Sequence, residues 1–247
     1  MRVQRSIRAV FSHLRGFADR RARRHVLVLG DSHVRVFEHW LFLLAMPRTR
    51  FDIVYVRGGT ATGIANRRSK TRTRDRFEEA LARGPWDLVL VDLGEVDAAF
   101  TLWSLARKRG QPVETLTDRA VANYVAFLDG VRRAHDLIVI AATLPTLADL
   151  DGIDDEDLKQ RARVPVDQRR RTDLTLEFNR RIAAGGAEHG VPHLDSTPDA
   201  LGPNGLVDPR WTVRHRPDHH YARLPFARWL IRALRPHLVK RKSPTVG

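Results

Sequence analysis

The chain has 247 residues, enough to bury a sizeable core as one domain or as a domain with an insertion. It has no cysteine, which excludes a disulfide framework and thiolate metal sites and fits a reducing, cytoplasmic compartment. The formal net charge of +14 sits at the ends: residues 1–24 hold 8 Arg and one Asp (+7), residues 223–247 hold 7 Arg and Lys and no acid (+7), and residues 25–222 balance 28 basic against 28 acidic groups. A neutral body argues against a specific nucleic-acid partner.

In chain order, residues 1–24 read as a basic amphipathic arm. Val3, Ile7, Val10, Phe11, Leu14 and Phe17 share one helical face, and Arg8 and Arg15 interrupt any signal-peptide core. Such a face packs on the domain, packs on a second copy, or makes peripheral contact with an anionic membrane. Residues 25–238 then alternate strands and helices. The spacing predicts strands at His25–Leu29, Phe51–Val56, Trp86–Leu93, Asp136–Ala142 and Val191–Leu194. It predicts helices at Val34–Ala45, Thr73–Ala82, Phe100–Lys108, Asp118–Ala134, Thr172–Glu188 and Tyr221–Leu234. The inner strands are unbroken Val/Leu/Ile runs, the pattern of a parallel sheet covered on both faces. The fold class is α/β, a three-layer α/β/α sandwich around five parallel strands in the order 2-1-3-4-5. Residues 143–171, with six acids between Asp149 and Asp157, interrupt the alternation as an insertion or lid. Residues 239–247 form a basic tail.

Sites in such sheets lie beyond the carboxyl ends of the strands, and four segments fall there. Gly30-Asp31-Ser32-His33 ends the first strand at a turn into a helix. The unpaired amides of a helix start suit a nucleophile with an oxyanion, and equally a plain helix cap by Asp31 or Ser32. Arg57-Gly58-Gly59-Thr60-Ala61-Thr62-Gly63 is a glycine turn beside it, able to bring a second amide close. Leu93-Gly94-Glu95-Val96-Asp97 places two carboxylates at the end of the central strand. There Asp97 can cap a helix, whereas Glu95 needs a partner. Arg216-Pro217-Asp218-His219-His220-Tyr221 supplies acid and imidazole for a general base, or metal ligands.

These segments, in this order, resemble the SGNH/GDSL hydrolase superfamily, serine esterases and lipases on a flavodoxin-like sandwich. More narrowly, residues 25–235 are similar to an uncharacterised branch. Its blocks match Gly30 to His33, Gly59 to Gly63, Asn66 to Thr71, Leu93 to Asp97, Arg171-Thr172 to Phe178-Asn179, and Asp218 to Tyr221. The resemblance implies Ser32 as nucleophile, Gly59 as an oxyanion-hole amide, and Asp218 with His220 as acid and base. His219 is the alternative base, because Asp218 precedes both histidines more closely than the family's three-residue spacing. It also implies that Asp31, His33, Lys70, Glu95 and Asp97 surround the site. The superfamily's third block carries an oxyanion-donating Asn where this chain is read as having Glu95. An ionised Glu95 would repel an oxyanion, so Glu95 is expected to pair with Lys70 or an arginine.

Three functions follow. The first is a serine hydrolase or acyl transferase on O-acyl esters of a small molecule or glycan, with no cofactor or metal. The second is a non-catalytic relative that binds a glycan, a lipid head group or a partner. The third is a metal-dependent phosphoesterase using Asp31, His33 and the 215–220 histidines. Because the arm carries its own charge, a chain lacking residues 1–22 is expected to fold and keep the body's activity. An insoluble truncation with no cooperative unfolding transition would place the arm's apolar face in the core.

Overall fold

The computed structural model describes residues 22–148 and 166–239. Five strands form one all-parallel sheet: β1 (Arg24–Gly30), β2 (Thr49–Tyr55), β3 (Leu88–Asp92), β4 (Leu137–Ile140) and β5 (His193–Leu194). The strand order is β2-β1-β3-β4-β5, as the sequence predicts. Alternate side chains on each strand enter opposite cores. Leu27, Leu29, Val89 and Val91 pack on one face, and Val26, Val28, Leu88 and Leu90 on the other. Both faces are covered, so the architecture is the three-layer α/β/α sandwich.

On the first face lie α2 (Ala61–Ile64), α3 (Thr73–Leu81), α4 (Leu102–Arg109), α5 (Val113–Arg132) and α6 (Gln168–Glu188), anchored by Ile64, Phe77, Leu102, Tyr124 and Phe178. On the second lie α1 (Trp40–Ala45), α7 (Thr197–Ala200) and α8 (Arg223–Val239), anchored by Phe42, Ala200, Phe226 and Leu230. The helix predicted at Val34–Ala45 is two pieces. A 3-10 helix over Ser32–Glu38 ends where His39 turns extended (ψ 136°), and its Nδ1 accepts the Leu41 amide at 3.3 Å to start α1. The helix predicted at Asp118–Ala134 begins five residues earlier, straight after Pro112, because Val113, Leu116 and Thr117 continue its buried stripe.

Residues 1–21 of the arm, 149–165 of the expected insertion and 240–247 of the tail lie outside the described residues. The flanks of that insertion are pinned together. Arg171, buried in α6, donates from Nη2 to the carbonyls of Leu147 (2.7 Å) and Ala148 (3.0 Å). Nearby, Asn179 clamps both backbone groups of Ala142, accepting its N–H at 2.9 Å and donating to its carbonyl at 2.8 Å. The described part of α6 therefore begins inside the stretch predicted as an insertion.

Two glycines illustrate opposite demands. A Cβ on Gly30 would stand 2.3 Å from Val34 Cγ1 and 2.5 Å from the Asp92 carbonyl oxygen, whereas one on Gly130, inside α5, meets nothing within 4 Å. Gly30→Ala is therefore expected to lower stability by ~1–3 kcal/mol through overpacking against fixed backbone. Gly130→Ala is expected to raise it by ~0.5–1 kcal/mol. Urea denaturation of the two variants checks the opposite signs.

Candidate active site

β1 and β3 end side by side, with the Asp31 N–H donating to the Asp92 carbonyl at 3.3 Å. The chain leaving β1 turns at once into the Ser32–Glu38 helix, capped by Asp31 Oδ1 on the His33 N–H at 2.8 Å. Ser32 opens that helix, so its own N–H has no intrahelical acceptor. The Ser32 hydroxyl meets His220 Nε2 at 2.8 Å, and His220 Nδ1 meets Asp218 Oδ1 at 2.7 Å. Asp218 Oδ1 also accepts the His220 backbone N–H at 3.0 Å, which fixes the short Asp-His-His turn. Burial opposes ionisation of Asp218, but the hydrogen bonds and charge of His220, with His219, hold its carboxyl well below the usual range. An ionised Asp218 sets the tautomer: Nδ1 carries the proton, and Nε2 is free to accept from the serine. Of the two histidines it is His220 that lies between Asp218 and Ser32. The His219 ring stacks on that of His220 with centroids 3.9 Å apart.

Directly behind the serine lies a second, buried histidine. His33 Nδ1 contacts Asp31 Oδ1 at 2.8 Å, and its Nε2 reaches the His219 carbonyl at 3.2 Å. Ligand atoms of Asp31, His33 and Glu95 all lie within 4.8 Å of one another. Burial alone would discharge His33, but Asp31, Glu95 and Asp92 around it raise its pKa to about 10. At neutral pH it is an imidazolium donating from both nitrogens, and its Nε2–H ties the nucleophile turn to the loop of the base. Asp92 is pushed the other way. Burial, then Asp31, raise its carboxyl well above the usual range.

Glu95 is 2% exposed and sits against this imidazolium. Lys70, the partner expected from sequence, is exposed, and among the described residues it forms no ion pair. Among the described residues Lys70 is thus not the cation beside Glu95, and the buried His33 lies there. The third segment presents Val96, not Glu95, to the cleft wall. Neither Glu95 nor Asp97 lines the cleft.

Asp97 is fully buried, and its carboxylate accepts the Ala61 N–H (2.7 Å), the Thr62 N–H (2.9 Å) and the Thr62 hydroxyl (2.6 Å). Burial raises its pKa to about 6 against these bonds. It does not cap the helix it opens; it accepts the first amides of α2, whose N-cap is Thr60, and so anchors the glycine turn. Within that turn the Gly59 N–H is already donated to the Val56 carbonyl at 2.8 Å. The expected role of Gly59 as oxyanion donor is therefore corrected, and the glycine of the doublet that lines the cleft is Gly58, at φ +66°. The doublet alone does not say which glycine faces outward, because both look alike in sequence.

Two side-chain groups among the described residues have the composition of a metal site, Asp218-His219-His220 and Asp31-His33-Glu95. In the first, Asp218 and His220 are joined to each other and to Ser32. In the second, the two His33 nitrogens are engaged by Asp31 and by the His219 carbonyl.

A scan of protein-family models and a search of curated proteins found no match. Solved structures do match. A GDSL-like lipase from Bacteroides thetaiotaomicron superposes with a TM-score of 0.58 at 12% identity, over 93% of this chain and 98% of that one. An acetylxylan esterase from Geobacillus stearothermophilus, solved as a catalytic mutant, gives 0.53 at 14% identity over 89% and 96%. The chain has the SGNH/GDSL hydrolase fold. Another acetyl xylan esterase gives 0.52 at 12% identity, over 87% of this chain and all of that one. Among the described residues, no helix of this fold is long and apolar enough to cross a membrane.

The His33 cluster makes stability pH-dependent with a definite sign. A histidine raised from 6.5 to about 10 contributes its full stabilisation below its unfolded pKa and loses it as pH rises through the folded value. The urea midpoint is expected to fall between about pH 7 and 10. A His33→Gln variant is expected to be less stable at pH 7, with the gap to wild type closing towards pH 10. A gap independent of pH would refute the buried imidazolium.

Proposed function

We propose that the chain is a serine hydrolase or acyl transferase acting on O-acyl esters, including those of carbohydrates. The observation that carries the reading is the relay from Ser32 Oγ through His220 to Asp218, with 2.8 Å and 2.7 Å links. Ser32 attacks the acyl carbonyl, His220 Nε2 takes the hydroxyl proton, and the ionised Asp218 stabilises the resulting imidazolium. His220 then returns the proton to the leaving alcohol. Water, or an acceptor hydroxyl, releases the acyl group by the same steps in reverse. The oxyanion is assigned to the Ser32 N–H at the helix start and the Gly58 peptide at the glycine turn. The third segment, which presents Val96 to the cleft, adds no side-chain donor. Each such donor is worth ~10²–10³ in kcat elsewhere, so modest turnover goes with this site.

The fold-level likeness to lipases and acetylxylan esterases supports the same reaction class. A cytoplasmic site of action, in keeping with a cysteine-free chain, a small-molecule or glycan ester as partner, and no specific nucleic acid complete the proposal.

A fluorophosphonate probe is expected to add one label per chain, located at Ser32 by peptide mass, and Ser32→Ala is expected to abolish it with the fold intact. On 4-nitrophenyl acetate, His220→Ala is expected to lower kcat by ~10³-fold or more, because members of such a relay act as a unit. His219→Ala is expected to lower it at most roughly tenfold, because the His33 anchor is its backbone carbonyl, not its ring. A folded wild-type protein that neither takes the label nor hydrolyses the ester would favour the non-catalytic binding reading.

A further inference from the structure

The cleft above Ser32 has a volume of about 1030 Å³, far more than an acetyl group fills, and its walls are unevenly charged. Among the described residues Arg35, Arg57, Arg216 and Arg223 line it, against one lining carboxylate, Asp218. That carboxylate is already committed to His220 at 2.7 Å and to Arg216 at 3.2 Å. The body, residues 25–222, is neutral overall, so Arg35, Arg57 and Arg216 are a local concentration of charge, and Arg223, the first residue of the basic C-terminal stretch, joins them.

Two of these arginines are built into place. Arg35 lies one 3-10 turn beyond Ser32, and Arg223 is the first residue of α8. They are 188 residues apart in the chain, yet both reach the same oxygen, Glu38 Oε2, at 3.3 Å and 3.2 Å. Arg223 also donates to the Arg35 carbonyl, and the Arg35 guanidinium lies 5.4 Å from the centre of the Tyr55 ring. Both are half exposed on the cleft side. A single carboxylate shared by two guanidiniums leaves one positive charge and several N–H donors unspent. An isolated surface ion pair would mean little. A converging pair beside the nucleophile, facing space that the acyl group does not need, is arranged as a receptor.

We infer that the ester carries an anionic group, a carboxylate or phosphate, on its alcohol portion, and that Arg35 and Arg223 receive it while Ser32 meets the acyl carbon. The chemical class is an O-acylated acidic carbohydrate, and Arg216 extends the same wall. The inference rests on the proposed esterase reading for its chemistry, but the anion site itself is testable without turnover.

Deacetylation is compared for O-acetylated methyl glucuronide, O-acetylated glucose 6-phosphate and neutral O-acetylated methyl xyloside. The anionic esters are expected to have kcat/KM roughly tenfold or more above the neutral one, expressed in KM and eroded by added salt. The ratio should collapse towards unity in the Arg35→Gln/Arg223→Gln double variant. Whichever anion shows the larger ratio decides between carboxylate and phosphate. In parallel, calorimetry on folded Ser32→Ala protein measures binding of a glucuronate oligosaccharide and of glucose 6-phosphate, with and without the two arginine changes. Anion binding lost on the arginine changes, without ester hydrolysis by wild type, would uphold the anion site and remove the esterase reading. Hydrolysis with equal kcat/KM for charged and neutral esters would overturn the anion site and keep the esterase. No anion binding and no hydrolysis would overturn both.

Discussion

The site depends on how closely β1 and β3 can end beside each other. Gly30 lies against the carbonyl of Asp92, with no room for even a methyl group, and the next amide, that of Asp31, bonds to that same carbonyl. The contact brings the chain leaving β1 and the chain leaving β3 into one small volume. From the first comes the Ser32 turn, and from the second come Glu95, Val96 and Asp97. Asp97 then reaches sideways to fix the glycine turn after β2 through three hydrogen bonds. Three consecutive sheet positions are thereby locked to one another before the last loop, carrying Asp218 and His220, closes over them from the far end of the chain.

That volume contains an unusual density of buried charge. Asp31, Asp92, Glu95 and Asp97 are each at most 2% exposed. Four carboxylates sharing a dry region would repel strongly if all were ionised. The structure answers in three ways. Asp97 is surrounded by donors, burial and then Asp31 push the Asp92 carboxyl towards its neutral form, and His33 provides a cation beside Asp31 and Glu95. The Glu95 carboxylate is thus absorbed into the scaffold behind the nucleophile instead of facing an oxyanion.

The broad fold was legible because its signals are long-range in kind and local in form. Unbroken apolar runs announce buried parallel strands, and 3.6-residue stripes announce the helices that cover them. The candidate residues could be named for a similar reason: Ser32 directly follows β1, and Asp218-His219-His220 shortly precede α8, which packs against the helix that Ser32 opens. What escaped the sequence is what depends on a single rotation of the backbone. Whether Gly58 or Gly59 faces the cleft is decided by a φ of +66° and one turn hydrogen bond. Whether Glu95 or Val96 faces it is decided by the path out of β3. Lys70 and His33 were both available as cations for Glu95, and only the position of the 3-10 helix selects His33. The break at His39 was hidden because Val34, Phe37, Leu41 and Leu44 keep a helical period across it, while the capping imidazole that interrupts the helix carries no periodic signal.

The two histidines near Ser32 use the same side chain for opposite purposes, and geometry separates them. His220 has one carboxylate on Nδ1 and a hydroxyl on Nε2, so its outer nitrogen is an acceptor facing the nucleophile. His33 has a carboxylate on Nδ1 and a carbonyl on Nε2, so both nitrogens must donate, and it cannot act as a base while it holds both contacts. The ring centroids are 4.6 Å apart, close enough that a misplaced His33 would disturb His220 directly. A lysine could supply the charge behind Ser32, but its flexible stem would not fix two acceptors in one plane. An imidazolium is rigid, spans the gap from Asp31 to the His219 carbonyl, and aligns the loop that carries the base. The buried ion cluster therefore sets the spacing of the exposed relay, which links the charge accommodated in the core to the hydrogen-bond distance at the nucleophile.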